Sequence, residues 1–294
     1  MSETQARQVL VYPDQSQISM LAKGDRPGDR DRLLSLLAAG TVRLALSYYH
    51  IVETCALSND RIRNTILAFI DELHPFTSWV HDPHVIQQQE VARQIHAFMK
   101  ETAVPAVRAV ARNLEDAVRQ ASAASQDVVW TKELRPSQVG ERLLQEGHGR
   151  TSLERGKAYV TRVKLLRDRV LKVENADWSR RRQIGDLAPV QLASGRMVTR
   201  AERQDFANTV TLESMPGFNV YHCTLDAVSR EQFEASRKPG RGDIGDLYHL
   251  HALPYVDHFT CDGYIFAVLD RIKIRRVGIG VAHRSLSDAW DAAS

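Results

Sequence analysis

Four acidic residues from distant parts of the chain lie at the boundaries of predicted core elements. Asp14 closely follows the apolar run VLVY, and Asp262 follows the strand-like run HFTC. Glu53 lies inside the helix-like stretch SYYHIVETCAL, and Asp246 lies near the start of another. A carboxylate is costly to hold in a core unless a positive group joins it. These acids therefore predict a site for a hard divalent cation, which carboxylate oxygens bind well.

Each acid taken alone has an ordinary structural explanation. An Asp after a strand usually serves in a turn or a cap, and a Glu in mid-helix is most often a surface residue. Asp243 and Asp246 follow Gly242 at a helix start, where free N–H groups and the helix dipole favour carboxylates. Several carboxylates gathered at one end of a sheet, however, would repel each other strongly without a counter-ion. Asp243 is thus a fifth candidate metal ligand.

The order of predicted elements favours an α/β fold. Strand-like runs occur near residues 8–12 and 41–46 and again before Asp262, and helical patterns lie between them. Strand–helix–strand alternation at the start favours a parallel sheet with helices on its faces. In such sheets functional residues collect at the carboxyl ends of strands, which is where Asp14 and Asp262 fall. Residues 75–84 have no regular pattern, and residues 91–118 and 136–173 look helical.

Composition is that of an ordinary soluble protein, with 43% hydrophobic and 26% charged residues. The apolar runs are too short for a membrane helix, and the start MSETQARQ lacks the apolar region of a signal peptide. Three cysteines, an odd number in apolar surroundings, favour reduced thiols. We expect a cytoplasmic protein that does not contact membranes.

Positive charge is concentrated in one segment of the chain. Residues 150–182 contain eleven Lys or Arg against four acids, a net charge of +7, within a chain of net charge +3. One interpretation is a solvated helix face; the other is a surface that binds phosphates and steers nucleic acid toward the acids. Arg180, Arg181 and Arg182 beside Trp178, and Lys273 in a second basic cluster, are the candidate substrate-binding residues.

The combined motif resembles the PIN-domain nucleases. It consists of Asp14 with Ser16 two residues on, then Glu53, Asp246 and Asp262, in that order. The segment GDIGDLYHLHALPYVDHFTCD is similar to the corresponding block of a bacterial PIN-like subgroup. The resemblance covers roughly residues 8–75 and 215–282. It implies a three-layer PIN-like core with a mostly parallel central sheet, built from residues 1–80 and 215–294 and interrupted by a large all-helical insertion at 81–214.

The resemblance also implies an activity, which is Mg²⁺- or Mn²⁺-dependent endonuclease cleavage, usually of RNA. Asp14, Glu53, Asp246 and Asp262 would be catalytic metal ligands, and Ser16 would hold the local backbone or a phosphate oxygen. Metal-activated water would attack the phosphodiester with no covalent intermediate. Many PIN-like nucleases are toxins with an antitoxin, so an inhibitory protein and a second copy of the chain are considered as partners besides RNA or DNA.

Three alternatives stay open at this point. The first is a non-enzymatic PIN-like module that binds a protein or a nucleic acid. The second is a metal-dependent phosphatase for small phosphate esters. The third is zinc binding by His249, His251, His258 and Cys261, but their spacing matches no closed zinc pattern and favours packing and hydrogen bonding instead.

Overall fold

Six short strands form a single sheet in the order β3-β2-β1-β4-β6-β5. A computed structural model of the chain describes residues 8–121, 134–146, 184–185, 199–234 and 243–293, and only the backbone of residues 232–234, 243 and 244. The predicted substrate-binding residues Arg180, Arg181 and Arg182 lie outside the described residues, and so does the side chain of Asp243.

The strands and helices within these ranges have the following bounds. The strands are β1 (Val9–Tyr12), β2 (Val42–Ser47), β3 (Thr77–Val80), β4 (His258–Thr260), β5 (Arg276–Val277) and β6 (Gly280–His283). The helices are α1 (Gln15–Lys23), α2 (Pro27–Ala38), α3 (Tyr48–Cys55), α4 (Asp60–Leu73), α5 (Pro83–Phe98), α6 (Leu114–Ala121), α7 (Pro136–Gln145), α8 (Arg200–Thr209), α9 (Pro216–Glu234), α10 (Asp243–His249), α11 (Gly263–Arg271) and α12 (Leu286–Ala293). Short 3₁₀ turns occupy His74–Phe76, Leu212–Ser214 and Leu250–Tyr255.

Strand direction is almost uniform across the sheet. β3, β2, β1, β4 and β6 are parallel, and only β5 runs antiparallel, as a hairpin with β6. The predicted α/β class with a mostly parallel sheet is therefore confirmed. None of the helices in the described ranges has both the length and the apolar character that crossing a membrane requires.

Helices cover both faces of the sheet. Successive side chains of a strand point to opposite faces. In β2, Leu44 and Leu46 pack in a cluster with residues of α1, α2, α3 and α4, whereas Ala45 packs with residues of α9, α10 and α11. β1 divides in the same way, with Val11 on the first side and Tyr12 on the second. The described parts are thus arranged as helices, sheet and helices.

Part of the local structure differs from the sequence-based expectation. The stretch 75–84 has no visible pattern but contains β3, and residues 109–111 extend the sheet edge beside it, since His81 N–H donates to Ala109 and Ala111 N–H donates to Trp79. Residues 107–113, predicted helical, precede α6 rather than belong to a helix. Residues 278–279 form the β5–β6 turn, with Gly278 at φ 61°. These short backbone pairings leave little trace in hydrophobic periodicity.

The segment predicted as an insertion shares the main core in its described parts. Leu114, Ala117 and Val118 of α6, and Val139 and Leu143 of α7, lie in the same buried cluster as residues of α3 and α4. Its proposed boundaries at 81 and 214 stay a prediction.

A buried carboxylate on α5 holds the second helical layer in place. Glu90 has no exposed surface. Gly217 N–H donates to its Oε1 at 2.7 Å and Phe218 N–H donates to its Oε2 at 2.8 Å, while the Tyr255 hydroxyl donates to Oε1. Glu90 thereby satisfies N–H groups in the first turn of α9, which no residue within the helix can do.

We predict that Glu90→Gln destabilises the protein. The amide nitrogen of Gln would face a buried N–H donor, and a buried donor without an acceptor costs about 1–3 kcal/mol. Chemical denaturation should show that loss in the free energy of unfolding. Glu141→Gln, a change at an exposed position of α7, is the matched control and should leave the value unchanged. Equal stability of both variants would contradict this account of Glu90.

Candidate functional site

The carboxyl ends of the parallel strands meet at one edge of the sheet. Asp14 follows β1 there and Asp262 follows β4, and these two strands are direct neighbours. β1 is also the point where the strand order reverses, because β2 and β3 lie on one side and β4 and β6 on the other. Ligands of open α/β sheets bind in the crevice at such a point. Both residues thus lie where the strand order places a binding crevice.

Local hydrogen bonds hold these two carboxylates at the edge. Asp14 is 5% exposed, and its N–H donates to Thr260 Oγ1 at 2.8 Å. Its Oδ2 accepts a hydrogen bond from the Ser16 hydroxyl, so Ser16 contacts the first carboxylate itself. Asp262 is the N-cap of α11, and its Oδ1 accepts from Ile265 N–H at 2.6 Å. The capping explanation therefore holds for Asp262.

Two helices bring the other acids to the same edge. Glu53 lies in α3 and Asp246 in α10. Gly245, beside Asp246, allows α10 to lie close to the Glu53 side chain. A Cβ at position 245 would lie 2.1 Å from Glu53 Oε1, which is shorter than van der Waals contact. Glycine is therefore required here if Glu53 is to keep its position, although φ at Gly245 is not in the left-handed region.

The four acids interact electrostatically. Burial raises the pKa of Asp246, and the negative charges of Asp14, Asp262 and Glu53 raise it further, to about 8, against an opposing effect of His249. Within the described chain no ion pair to Asp246 is formed by Lys, Arg or His. Asp246 is therefore the acid on which the repulsion of the cluster acts.

The side chains are not arranged as a finished metal site. In the described part of the chain, no three His, Cys, Asp or Glu side chains are placed to hold a metal ion as they stand. Oxygens of Asp14, Glu53 and Asp262 accept hydrogen bonds from protein groups. The acids thus interact electrostatically at one edge of the sheet, but they do not form a closed set of metal ligands.

A buried histidine joins the acids to the core. His249, at the end of α10, places Nε2 3.0 Å from Glu53 Oε2 and Nδ1 2.5 Å from the Tyr12 hydroxyl. Burial lowers its pKa, but Glu53, Asp14 and Asp246 outweigh that effect and the pKa of His249 is raised. Its Nε2–H donates to Glu53, because a carboxylate can only accept. His249 therefore orients Glu53 and offsets part of the negative charge.

The hydrogen-bonded chain continues beneath the site. The Tyr12 hydroxyl lies 2.9 Å from Ser47 Oγ, which lies 3.1 Å from His50 Nδ1. His50 Nδ1 accepts from Ser47 N–H and its Nε2–H donates to the Pro13 carbonyl, which fixes a neutral tautomer. Burial, together with the neighbouring His249, lowers the pKa of His50 to about 3. The network ties β1, β2 and α3 to the position of Glu53.

Sequence reasoning missed several residues near the site. Asp82 follows β3 at the same sheet edge and accepts from His84 N–H at 2.9 Å, and Asp-Pro at a helix start was the available signal. Gly245 and the contact of His249 with Glu53 had no signal, since both depend on the approach of α10 to α3. Lys273, predicted to bind substrate, is exposed at φ 59° in the turn after α11.

Comparison with known proteins adds no relative to this description. No family model matches the chain, and no curated protein or solved structure is significantly similar to it. The functional argument therefore depends on the residues themselves.

We predict that Gly245→Ala and Glu53→Ala are energetically coupled. In the wild-type background Ala at 245 gains helix propensity, about 1 kcal/mol, but forces the Glu53 carboxylate away. In the Glu53→Ala background only the gain remains, so the same substitution should stabilise the protein. A double-mutant cycle by chemical denaturation measures the coupling, expected to exceed about 1 kcal/mol. An additive cycle would contradict the close contact.

We predict that the metal-free protein loses stability as pH rises from 7 to 8. A carboxyl with a pKa raised in the folded state binds a proton more tightly there than in the unfolded chain. Its stabilising contribution is therefore present at low pH and is lost as pH rises toward about 8. In EDTA, unfolding free energies at the two pH values should differ by about 1 kcal/mol for wild type. Asp246→Asn should show a clearly smaller difference; an equal one would refute the crowding of charge at Asp246.

Proposed function

We propose that this protein is a Mg²⁺- or Mn²⁺-dependent endonuclease that hydrolyses phosphodiester bonds, with RNA as the substrate. The observation that carries the proposal is the electrostatic coupling of Asp246 to Asp14, Asp262 and Glu53 at the switch point of a parallel sheet. Crowded carboxylates, with no basic side chain of the described ranges paired to Asp246, are in the state that a divalent cation relieves. The motif order that resembles PIN-domain nucleases supports the same activity.

The donor set suits the cation in its chemistry. Asp14, Glu53, Asp246 and Asp262 provide hard oxygen donors, and Asp243 lies three residues before Asp246 on α10. Oxygens of this kind, with several waters, are what Mg²⁺ and Mn²⁺ prefer. Asp14, Glu53 and Asp262 accept hydrogen bonds from protein groups. These bonds do not prevent the carboxylates from binding a cation, because a carboxylate has about four lone-pair sites.

Each residue then has a definite task. A bound metal ion would activate a water molecule and stabilise charge on the phosphoryl oxygens. Asp14 and Asp262, which follow neighbouring strands, and the helix residues Glu53 and Asp246 would hold it. Ser16 positions the Asp14 carboxylate, and His249 orients Glu53. The basic segment 150–182 supports a polyanionic substrate, because its net charge of +7 attracts a phosphate backbone.

A second candidate is a non-enzymatic module on the same scaffold. It is favoured by the engagement of Glu53 with His249 and of Asp262 with the α11 N-terminus, which makes these acids serve the fold. Such a module would bind a protein or a nucleic acid without cutting it. Calorimetry with Mn²⁺ separates the two candidates, since only the nuclease requires the ion to bind.

We predict that Asp14→Asn and Asp262→Asn each abolish Mn²⁺-dependent cleavage of a structured RNA, by at least about 100-fold, while the fold is kept. Each change removes a charge that the metal needs, and Asn still accepts a hydrogen bond from Ser16 or Ile265. Cleavage is followed with labelled RNA, and folding by circular dichroism.

The matched control is Asp31→Asn, at an exposed position of α2, which should cleave like wild type. Retained activity in Asp14→Asn or Asp262→Asn would remove these residues from the catalytic assignment. Hydrolysis of small phosphate esters with no cleavage of RNA would favour a phosphatase instead. Absence of Mn²⁺ binding together with tight binding of RNA would favour the binding module.

A further inference from the structure

A basic cleft lies beside the carboxylates, between α11 and the β5–β6 hairpin. It encloses about 350 Å³. Its apolar floor is formed by Phe266, Val281 and Ala282, and its polar lining includes Arg275, Arg276 and Arg284. A volume above 300 Å³ is within the range of clefts that bind ligands. The cleft is separate from the four acids, so its charge needs an explanation of its own.

Two of the three arginines have their guanidinium groups available. Arg275 pairs with Asp270 at 3.0 Å and lies over the Phe266 ring at 5.3 Å. Arg276 and Arg284 are exposed, and in the described part of the chain neither forms an ion pair or a side-chain hydrogen bond. Asp288 is the acidic residue among those that line the cleft. The cleft therefore has an excess of positive charge presented on fork-shaped donors that suit phosphate oxygens.

The strand register places this cleft next to the candidate metal site. β6 is the parallel neighbour of β4, with His283 opposite Thr260, and Cys261 N–H donates to the His283 carbonyl at 3.2 Å. Arg284 and Asp262 therefore leave the sheet at the same edge from adjacent strands. The contact is close, since a Cβ on Gly263 would lie 3.4 Å from Arg284 Nε. One end of the basic cleft thus borders the residue that follows Asp262.

We propose that Arg276 and Arg284 bind a phosphate of a single-stranded nucleic acid whose neighbouring linkage is presented to the carboxylates. This rests on the proposed function, because it takes the acids as the place of cleavage. Positive and negative side chains then have different roles at one edge of the sheet. The arginines hold a phosphodiester that is not cut, and the acids act on one that is.

A flexible strand fits this geometry better than a rigid duplex. Its backbone can place one phosphate in the cleft and turn the next toward Asp262, and single strands can follow a charged groove over a few nucleotides. The floor of Phe266, Val281 and Ala282 offers apolar contact to a sugar or a base edge. We therefore expect binding to depend on charge and on strand flexibility, with little dependence on base sequence.

The test measures binding of a labelled single-stranded oligoribonucleotide by fluorescence anisotropy in EDTA, where the strand is not cut, over a range of salt. The double variant Arg276→Ser/Arg284→Ser should bind about 10-fold more weakly. Its slope of log affinity against log salt should be shallower by about 0.7, since the two arginines neutralise one phosphate and each neutralised phosphate of a single strand contributes about 0.7. Asp288→Asn should bind more tightly, because it removes the acid that lines the cleft.

The matched control is Arg61→Ser/Arg200→Ser, which removes two positive charges from exposed positions of α4 and α8. This control should keep the wild-type affinity for RNA and most of the wild-type slope of log affinity against log salt. All variants must show wild-type circular dichroism and unfolding transitions. If the control loses as much as the cleft variant, or if the cleft variant loses nothing, the proposal is overturned. Binding of wild type to phosphatidylserine vesicles but not to the RNA would overturn it as well.

Failure of this proposal differs from failure of the proposed function. If wild type cleaves RNA with Mn²⁺ and the cleft variant binds RNA with wild-type affinity, the proposed nuclease function is kept and the proposed role of the cleft is refuted. If the cleft variant loses RNA affinity but wild type neither binds Mn²⁺ nor cleaves RNA, the cleft is kept as a strand-binding site and the proposed nuclease function is refuted.

Discussion

Repulsion among buried and partly buried carboxylates is the constraint on which the structure of this sheet edge depends. Like charges that share a buried region raise the free energy of the folded state unless protons or cations reduce it. This repulsion acts on Asp246, whose pKa is raised to about 8 by burial and by the charges of three neighbouring acids. The repulsion itself lowers the stability of the fold. Its presence therefore supports a functional explanation over a structural one.

The surrounding structure limits the repulsion in three ways. His249 donates to Glu53 and balances part of its charge. The N–H of Ile265, at the start of α11, satisfies Asp262, and the Ser16 hydroxyl satisfies Asp14. The missing side chain of Gly245 lets Glu53 lie against α10, where these interactions are available. The same contacts fix the positions of the Asp14, Glu53 and Asp262 carboxylates.

Charge changes sign along the carboxyl edge of the sheet. Acids follow β3, β1 and β4, whereas β6 and the hairpin that contains it provide arginines. Because adjacent parallel strands end side by side, a polyanion bound at β6, as we propose, would reach Asp262 with no intervening strand. Part of the helical stretch after β3 also belongs to the main core, through α6 and α7. The described part of the predicted insertion and the main core therefore share one buried cluster.

The sequence alone determined the class of the fold and the location of Asp14 and Asp262, because apolar runs and their flanking residues are local signals. It also placed Asp243 and Asp246 at the start of a helix, since such signals depend on neighbouring residues. β3 and the pairing of residues 109–111 were not predictable in this way, because a short strand is defined by its partner. Only the tertiary structure decided that Gly245 makes room for Glu53, that His249 contacts it and that Arg284 borders Asp262. These contacts join positions as far apart as 53 and 249, and the packing of one helix or strand against another sets them, which no local pattern records.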